Sequence, residues 1–287
     1  MSRIAYVNGR YLPHAAAAVH VEDRGFQFAD AVYEVCEIRD GKIVDPTLHF
    51  ERLERSLREL RIAVPMSRAA TLVVMRRIAR LNRVRNGSIY IQVSRGQAHR
   101  DHVFPSPDVP PTVVMTAKSV ARAKGEALAE LGIKVITVPD NRWERVDIKS
   151  VSLLPNCLAK QAAKEAGARE AWFVDAGGFV TEGGSTNAWI VTADGVLVTR
   201  PAEHGILRGI TRTITLKVAA DLGLRVEERA FTVEEAKRAR EAFVTAATTL
   251  VMPVVAVDEA TIGNGMPGST ALALRRAFHD RTEMVDI

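Results

Sequence analysis

Val146-Asp147-Ile148-Lys149-Ser150-Val151-Ser152-Leu153-Leu154 is the stretch that most constrains this chain, because it sets one lysine among apolar neighbours. Lysine is scarce: only nine of the 39 basic residues are Lys, and the other thirty are Arg. Most of those lysines sit in polar surroundings, as Lys160 and Lys164 do beside Gln161 and Glu165, and read as solvated stems. Lys149 differs. Partial burial disfavours the charged ammonium and makes the amine a usable nucleophile. A charge tolerated at the edge of a core is the other reading of these residues alone.

Outward from Lys149, the pattern predicts a helix over 154–165 and strands near 133–137 and 171–174. Strands at 187–191 and 196–199 follow, turned by Asp194-Gly195. A helix opens at Gly209-Ile210-Thr211, strands lie near 241–245 and 251–257, and a helix covers about 268–281. On the N-terminal side, 4–45 reads as strands, with Asn8-Gly9 as a hairpin turn and Tyr33, Val35 and Glu37 on one face. Helices follow at about 48–60 and, capped by Ser67, to about 80, then strands at 87–94 and 112–117. Strands and helices mix without regular alternation, which predicts an α+β fold. At 287 residues the chain is expected to form two domains. These are a small α/β domain over 1–118, a linker over 119–124, and a larger α+β domain over 125–287 that carries Lys149.

Composition narrows the function. Apolar residues are 47% and charged residues 25%, which excludes disorder and small disulfide scaffolds. A net charge of +5 first points to polyanions. However, the arginines are spread along the chain and usually neighbour an acid, as in Glu51-Arg52-Leu53-Glu54-Arg55, so they read as solvated helix faces and no nucleic-acid partner is expected. Cys36 and Cys157 lie in apolar stretches without metal or redox spacing and read as buried thiols. No metal is expected. No leader and no membrane-length apolar run is visible, so the expected location is cytoplasmic.

Four further segments can carry chemistry. The glycine turn before Ile210-Thr211 exposes N–H groups to a phosphate. The hydroxyls of Thr245, Thr248 and Thr249 follow a strand and could add donors. Glu182, at a strand end, could face a ring-nitrogen cation. Arg100-Asp101-His102, in the long loop 95–111, could grip a carboxylate. Each has an ordinary reading as a turn, a helix start or an exposed polar cluster.

Taken in order, these segments resemble the fold-type IV pyridoxal-phosphate enzymes, and within them the bacterial D-amino acid aminotransferases. The resemblance spans nearly the whole chain. It rests on Glu22-Asp23-Arg24-Gly25-Phe26-Gln27-Phe28, Asp30 to Val35, His49-Phe50-Glu51-Arg52-Leu53 and Arg100-Asp101-His102. Asp147-Ile148-Lys149-Ser150, Thr181-Glu182-Gly183, Gly209-Ile210-Thr211-Arg212 and the segment from Phe243 to Pro253 complete it.

The resemblance implies pyridoxal 5′-phosphate as cofactor. Lys149 would form its Schiff base and move the proton between substrate Cα and the cofactor's C4′. Glu182 would hold the pyridine nitrogen, whose protonation makes a better electron sink. Arg52, Ile210, Thr211 and Thr248 would bind the phosphate, and Leu207 would pack on the ring. Tyr33, Arg100 and His102 would hold the substrate carboxylate, the Arg and His reaching in from a second subunit, so a homodimer is implied. The implied activity is ping-pong transamination between D-amino acids, such as D-alanine, and 2-oxo acids, such as 2-oxoglutarate.

Branched-chain L-amino acid aminotransferases share the Lys, Glu and Gly-Ile-Thr-Arg elements. They typically carry a Tyr where this chain has Leu154, and they lack the Arg-x-His pair. Aminodeoxychorismate lyases share the scaffold but use the cofactor to eliminate pyruvate. The acidic Asp101 departs from the small residue usual in the aminotransferases this chain resembles, which bears on substrate preference. The contrasting class, a basic binding protein on a disused scaffold, is opposed by the joint presence of Lys149, Glu182 and Arg52.

Overall fold

The computed structural model describes residues 3–203 and 205–287. It resolves into two compact units. The first runs to Arg122 and takes in Ile148–Ser152 and Glu283–Ile287; the second comprises Ala123–Asp147 and Leu153–Thr282.

The first unit is built on an antiparallel sheet. Its strands lie in the order Met284–Asp286, Lys42–Val44, Ala31–Arg39, Gly87–Ser94, Thr112–Ser119, Ile4–Val7, Arg10–Pro13. Asn8 and Gly9 take φ of 44° and 87°, the left-handed pair that a two-residue hairpin turn requires. In Ala31–Arg39 alternate residues are buried, with Val32, Glu34, Cys36 and Ile38 on the inner face. The helices Pro46–Glu59 and Arg68–Leu81 pack their apolar stripes on this sheet, bringing Phe50, Leu53, Leu57, Met75 and Ile78 into one core. Ser67 caps the second helix by accepting from Ala70 N–H at 3.2 Å. The reading of 4–45 as strands missed the short helix Arg24–Phe28. Asp23 starts it by accepting from the N–H groups of Gly25 and Phe26.

The second unit holds a mixed sheet. Its order is Val226–Glu228, Leu197–Thr199, Asn187–Val191, Glu241–Ala246, Leu250–Val257, Ile133–Pro139, Glu170–Val174, Val180–Gly183, with Ala260–Thr261 paired to Leu250–Val257. Ile133–Pro139 runs parallel to both its neighbours. Gly195 turns the expected hairpin with φ of 85°. The helices Leu154–Glu165, Ile210–Asp221 and Ser269–Ala277 accompany it. The α+β expectation describes both units.

Four expectations are corrected. Residues 119–124 are not a free linker, because the strand Thr112–Ser119 runs on to Ser119 and a helix, Arg122–Leu131, starts three residues later. Lys149 does not belong with 125–287: Ile148 packs in the first unit's core and Ser150 bridges to Val32. The C-terminal residues also leave that domain, since Met284–Asp286 pairs antiparallel with Lys42–Val44. Cys157 is exposed, because the helix Leu154–Glu165 buries Ala159 and Ala163 and turns Cys157 and Leu158 outward. Cys36 is buried as expected.

Candidate active site

Lys149 sits where the segment 148–152 crosses the start of the strand Ala31–Arg39. Tyr33 N–H donates to Lys149 O at 3.0 Å, and Val151 N–H donates to Ala31 O at 3.0 Å. Lys149 N–H donates to Ser56 Oγ at 3.3 Å. Its neighbours Ile148 and Ser150 are buried while Lys149 is half-buried, so the backbone is clamped and the side chain projects from a fixed point. Lys149 Nζ stands 4.2 Å from the centroid of the Tyr33 ring. Tyr33 stacks on Tyr90 at 5.7 Å. Burial, reinforced by Tyr33, pushes the Tyr90 hydroxyl up to about 12. Lys149 and Tyr33 are thus brought together, and the ring face favours a cation beside it.

Arg52 is not on a solvated helix face. Its side chain is only 10% exposed, and its guanidinium donates to both oxygens of the buried Glu34, Nε to Oε1 at 2.7 Å and Nη2 to Oε2 at 2.8 Å. His49 Nδ1 meets Glu34 Oε2 at 2.7 Å. Burial alone would push the Glu34 carboxyl up. The Arg52 charge and hydrogen bonds, with His49, outweigh it and hold the carboxyl well below its ordinary range. Burial likewise lowers the Arg52 guanidinium, and Glu34 more than restores it, so its net direction is up. The result is a cation of fixed charge and orientation.

Arg100 and His102 lie exposed on the loop between the strands Gly87–Ser94 and Thr112–Ser119. Both flank Phe28: its ring is 5.4 Å from the His102 ring and 5.1 Å from the Arg100 guanidinium carbon.

In the second unit, Glu182 lies near the end of the strand Val180–Gly183 and is buried. Its carboxylate accepts from Arg142 Nη1 at 2.5 Å, Asn187 Nδ2 at 3.0 Å and Leu207 N–H at 3.1 Å. Asn187 also donates to Leu207 O at 3.0 Å, which ties the segment before the helix Ile210–Asp221 to the same carboxylate. Gly209 caps that helix without a side-chain hydrogen bond. A Cβ there would stand 2.1 Å from Asn187 Oδ1, so a larger residue would have to displace the Asn187 amide. Ile210 and Thr211 form the buried first turn, where N–H groups lack partners within the helix. Thr248 is exposed in the turn between Glu241–Ala246 and Leu250–Val257. In the same turn Thr249 Oγ1 is buried with no hydrogen-bond partner among the described residues.

Sequence reading missed two supporting groups. Glu34 carried a signal: it shares the inward face of its strand with Val32, Cys36 and Ile38, and an acid placed there needs a partner. Arg142 carried none. It donates from Nε and Nη2 to Asp140 at 2.9 and 2.7 Å, and its guanidinium carbon lies 4.4 Å from the Phe173 ring centroid. Burial opposes the Arg142 charge, but Asp140 and Glu182 raise it overall. Lys160 is no plain solvated stem either, since Nζ lies 3.1 Å from the buried Glu170 carboxylate.

The family model "Amino-transferase class IV" matches residues 31–257. A D-alanine aminotransferase of Staphylococcus haemolyticus is 38% identical over 278 residues, 97% of each chain. That of Bacillus licheniformis is 40% identical over 273 residues, 95% of each. Among solved structures, a T.th. branched-chain amino acid aminotransferase with pyridoxamine 5′-phosphate has TM-score 0.89 and 28% identity, covering 98% of this chain and 94% of its own. On a match of this extent the chain belongs to the class IV aminotransferase family.

Proposed function

We propose that this chain is a pyridoxal 5′-phosphate-dependent transaminase that exchanges amino groups between D-amino acids and 2-oxo acids. The observation that carries the reading is near-full-length identity of 37–40% to D-alanine aminotransferases. The residues fit the cofactor's chemistry. A buried hydroxyl at Thr249 with no partner among the described residues and a helix start without a side-chain cap suit a phosphate, and a buried carboxylate at Glu182 suits a protonated ring nitrogen.

When bound, pyridoxal phosphate supplies an electron sink for the substrate's α-carbon. Arg52 would bind the phosphate, a role also expected of Ile210, Thr211 and Thr248. Glu182 would face the ring nitrogen and favour its protonated form, and Leu207 would pack against the ring. Lys149 would be the group that moves the proton between substrate Cα and the cofactor's C4′. Tyr33, Arg100 and His102 hold the substrate carboxylate and so fix which face of Cα meets Lys149. In this reading the working unit is a cytoplasmic homodimer. Among the described residues no helix is long and apolar enough to cross a membrane.

A panel of D- and L-amino donors with pyruvate and 2-oxoglutarate tests the reading. Amino transfer from D-alanine is expected. Turnover of L-leucine but not D-alanine would move the chain to branched-chain chemistry, the activity named for its solved neighbour. Borohydride reduction and peptide mapping should place the cofactor on Lys149; label on another lysine rejects that role. Light scattering reads the dimer.

A further inference from the structure

The segment Glu22 to Phe28 lies outside the residues assigned to cofactor and substrate. Arg24, within it, is 3% exposed. A guanidinium is buried only where its donors are met. On one side Arg24 Nε donates to Asp30 Oδ2 at 2.9 Å, a carboxylate shared with Arg95. On the other side it reaches three successive carbonyls of an exposed loop. Nη1 donates to Asp101 O at 2.5 Å and to Val103 O at 3.4 Å, and Nη2 donates to His102 O at 3.4 Å. The same guanidinium lies 4.8 Å from the Phe28 ring, which touches both Arg100 and His102.

Residues 100–104 form neither helix nor strand. No ladder therefore sets which way alternate side chains point. Three carbonyls on one planar, anchored fork do set it. We propose that Arg24, with Phe28, is a positioning residue that fixes the loop carrying Arg100 and His102 in the register needed to grip a substrate carboxylate. The inference rests on the proposed transaminase reading and adds a specificity element to it. Neither residue touches cofactor or substrate; both act through the loop. A displaced grip weakens the substrate equally before and in the transition state, so it raises KM rather than lowering kcat.

The test uses the loaded full-length enzyme and the variants Arg24→Met, Arg24→Lys and Phe28→Leu. KM for D-alanine is expected to rise about tenfold in both Arg24 variants, with kcat within about twofold and cofactor content unchanged. Lys should not rescue, since one ammonium cannot span three carbonyls and Asp30. Phe28→Leu should raise KM about threefold. A loaded Arg24→Met enzyme with unchanged KM, or with kcat lowered at constant KM, overturns the proposal. If the Arg24 variants do not fold, an unchanged KM in Phe28→Leu overturns it. Failure of the underlying reading looks different: wild type itself then transfers no amino group from D-alanine.

Discussion

Arg52 and Arg100 stand in the same unit and are held in opposite ways. Arg52 is oriented through its own guanidinium, two of whose nitrogens are locked on the buried Glu34, a carboxylate braced by His49. Arg100 is exposed, and what is oriented is the backbone beneath it, through Arg24. The first arrangement suits an anion that stays through many turnovers, because the charge is fixed before the anion arrives and little is reorganised. The second suits an anion that comes and goes, because the side chain can adjust while its anchor stays still. The lesson is that a residue's type says little about how an anion site is built; what holds the residue decides.

Breaking the buried side should produce the largest effect. Arg52→Met strips the buried Glu34 carboxyl of its main partner and leaves it His49. Losing one partner of such a pair costs about 3–5 kcal/mol, read as a lowered urea midpoint at pH 7. Cofactor retained after dialysis, measured by its absorbance, should fall by about tenfold or more. Full retention would remove Arg52 from the phosphate site and dissolve the contrast.

Glu34→Gln comes next and carries a pH signature. Because the Glu34 carboxyl is held below its ordinary range, its stabilising contribution is complete above that range and is lost as pH falls through it and below. The variant should be less stable than wild type by about 1.5–3 kcal/mol at neutral pH. The gap should narrow in acid as the wild-type carboxylate protonates. Urea melts across a pH series check this, and a gap independent of pH rejects a charge-based role for Glu34.

The exposed side should respond in KM and not in stability. Arg100→Met removes no buried contact, so unfolding should shift by no more than about 0.5 kcal/mol. KM for D-alanine should rise about tenfold with cofactor content unchanged. A loss of stability comparable to that of Arg52→Met would show the two arginines to be built alike.

This contrast also explains what could be read in the sequence. Period-two and helical patterns placed the strand Ala31–Arg39 and the helix Pro46–Glu59, because burial there follows from local repeat. Arg52 looked like a member of a solvated helix face, since its partner lies 18 residues away on a strand and no i to i+4 rule finds it. Glu34 was legible in principle from its inward position. Arg142 was not, because its partner Glu182 lies 40 residues on and nothing local marks the pair. The segment around Lys149 looked like part of the later half because chain order is one-dimensional. Its hydrogen bonds reach back to Ala31, Tyr33 and Ser56.

The smallest effect belongs to Asp101. Its main-chain carbonyl accepts from Arg24, and its carboxylate accepts from Val103 N–H at 3.3 Å, so backbone and side chain play separate parts. The carboxylate is exposed between Arg100 and His102. If Arg100 and His102 grip the substrate carboxylate as proposed, a negative charge there opposes its approach, but water and salt screen it, so the penalty is well under about 1 kcal/mol. Asp101→Ser keeps the carbonyl, and a serine hydroxyl can replace the turn acceptor. KM for D-alanine should therefore fall about twofold at low ionic strength, and the difference should vanish at about 1 M salt, where charges are screened within a few ångströms. A rise in KM instead would mean that the carboxylate holds the loop's shape, and the exposed arginine would then depend on a side-chain partner much as Arg52 does.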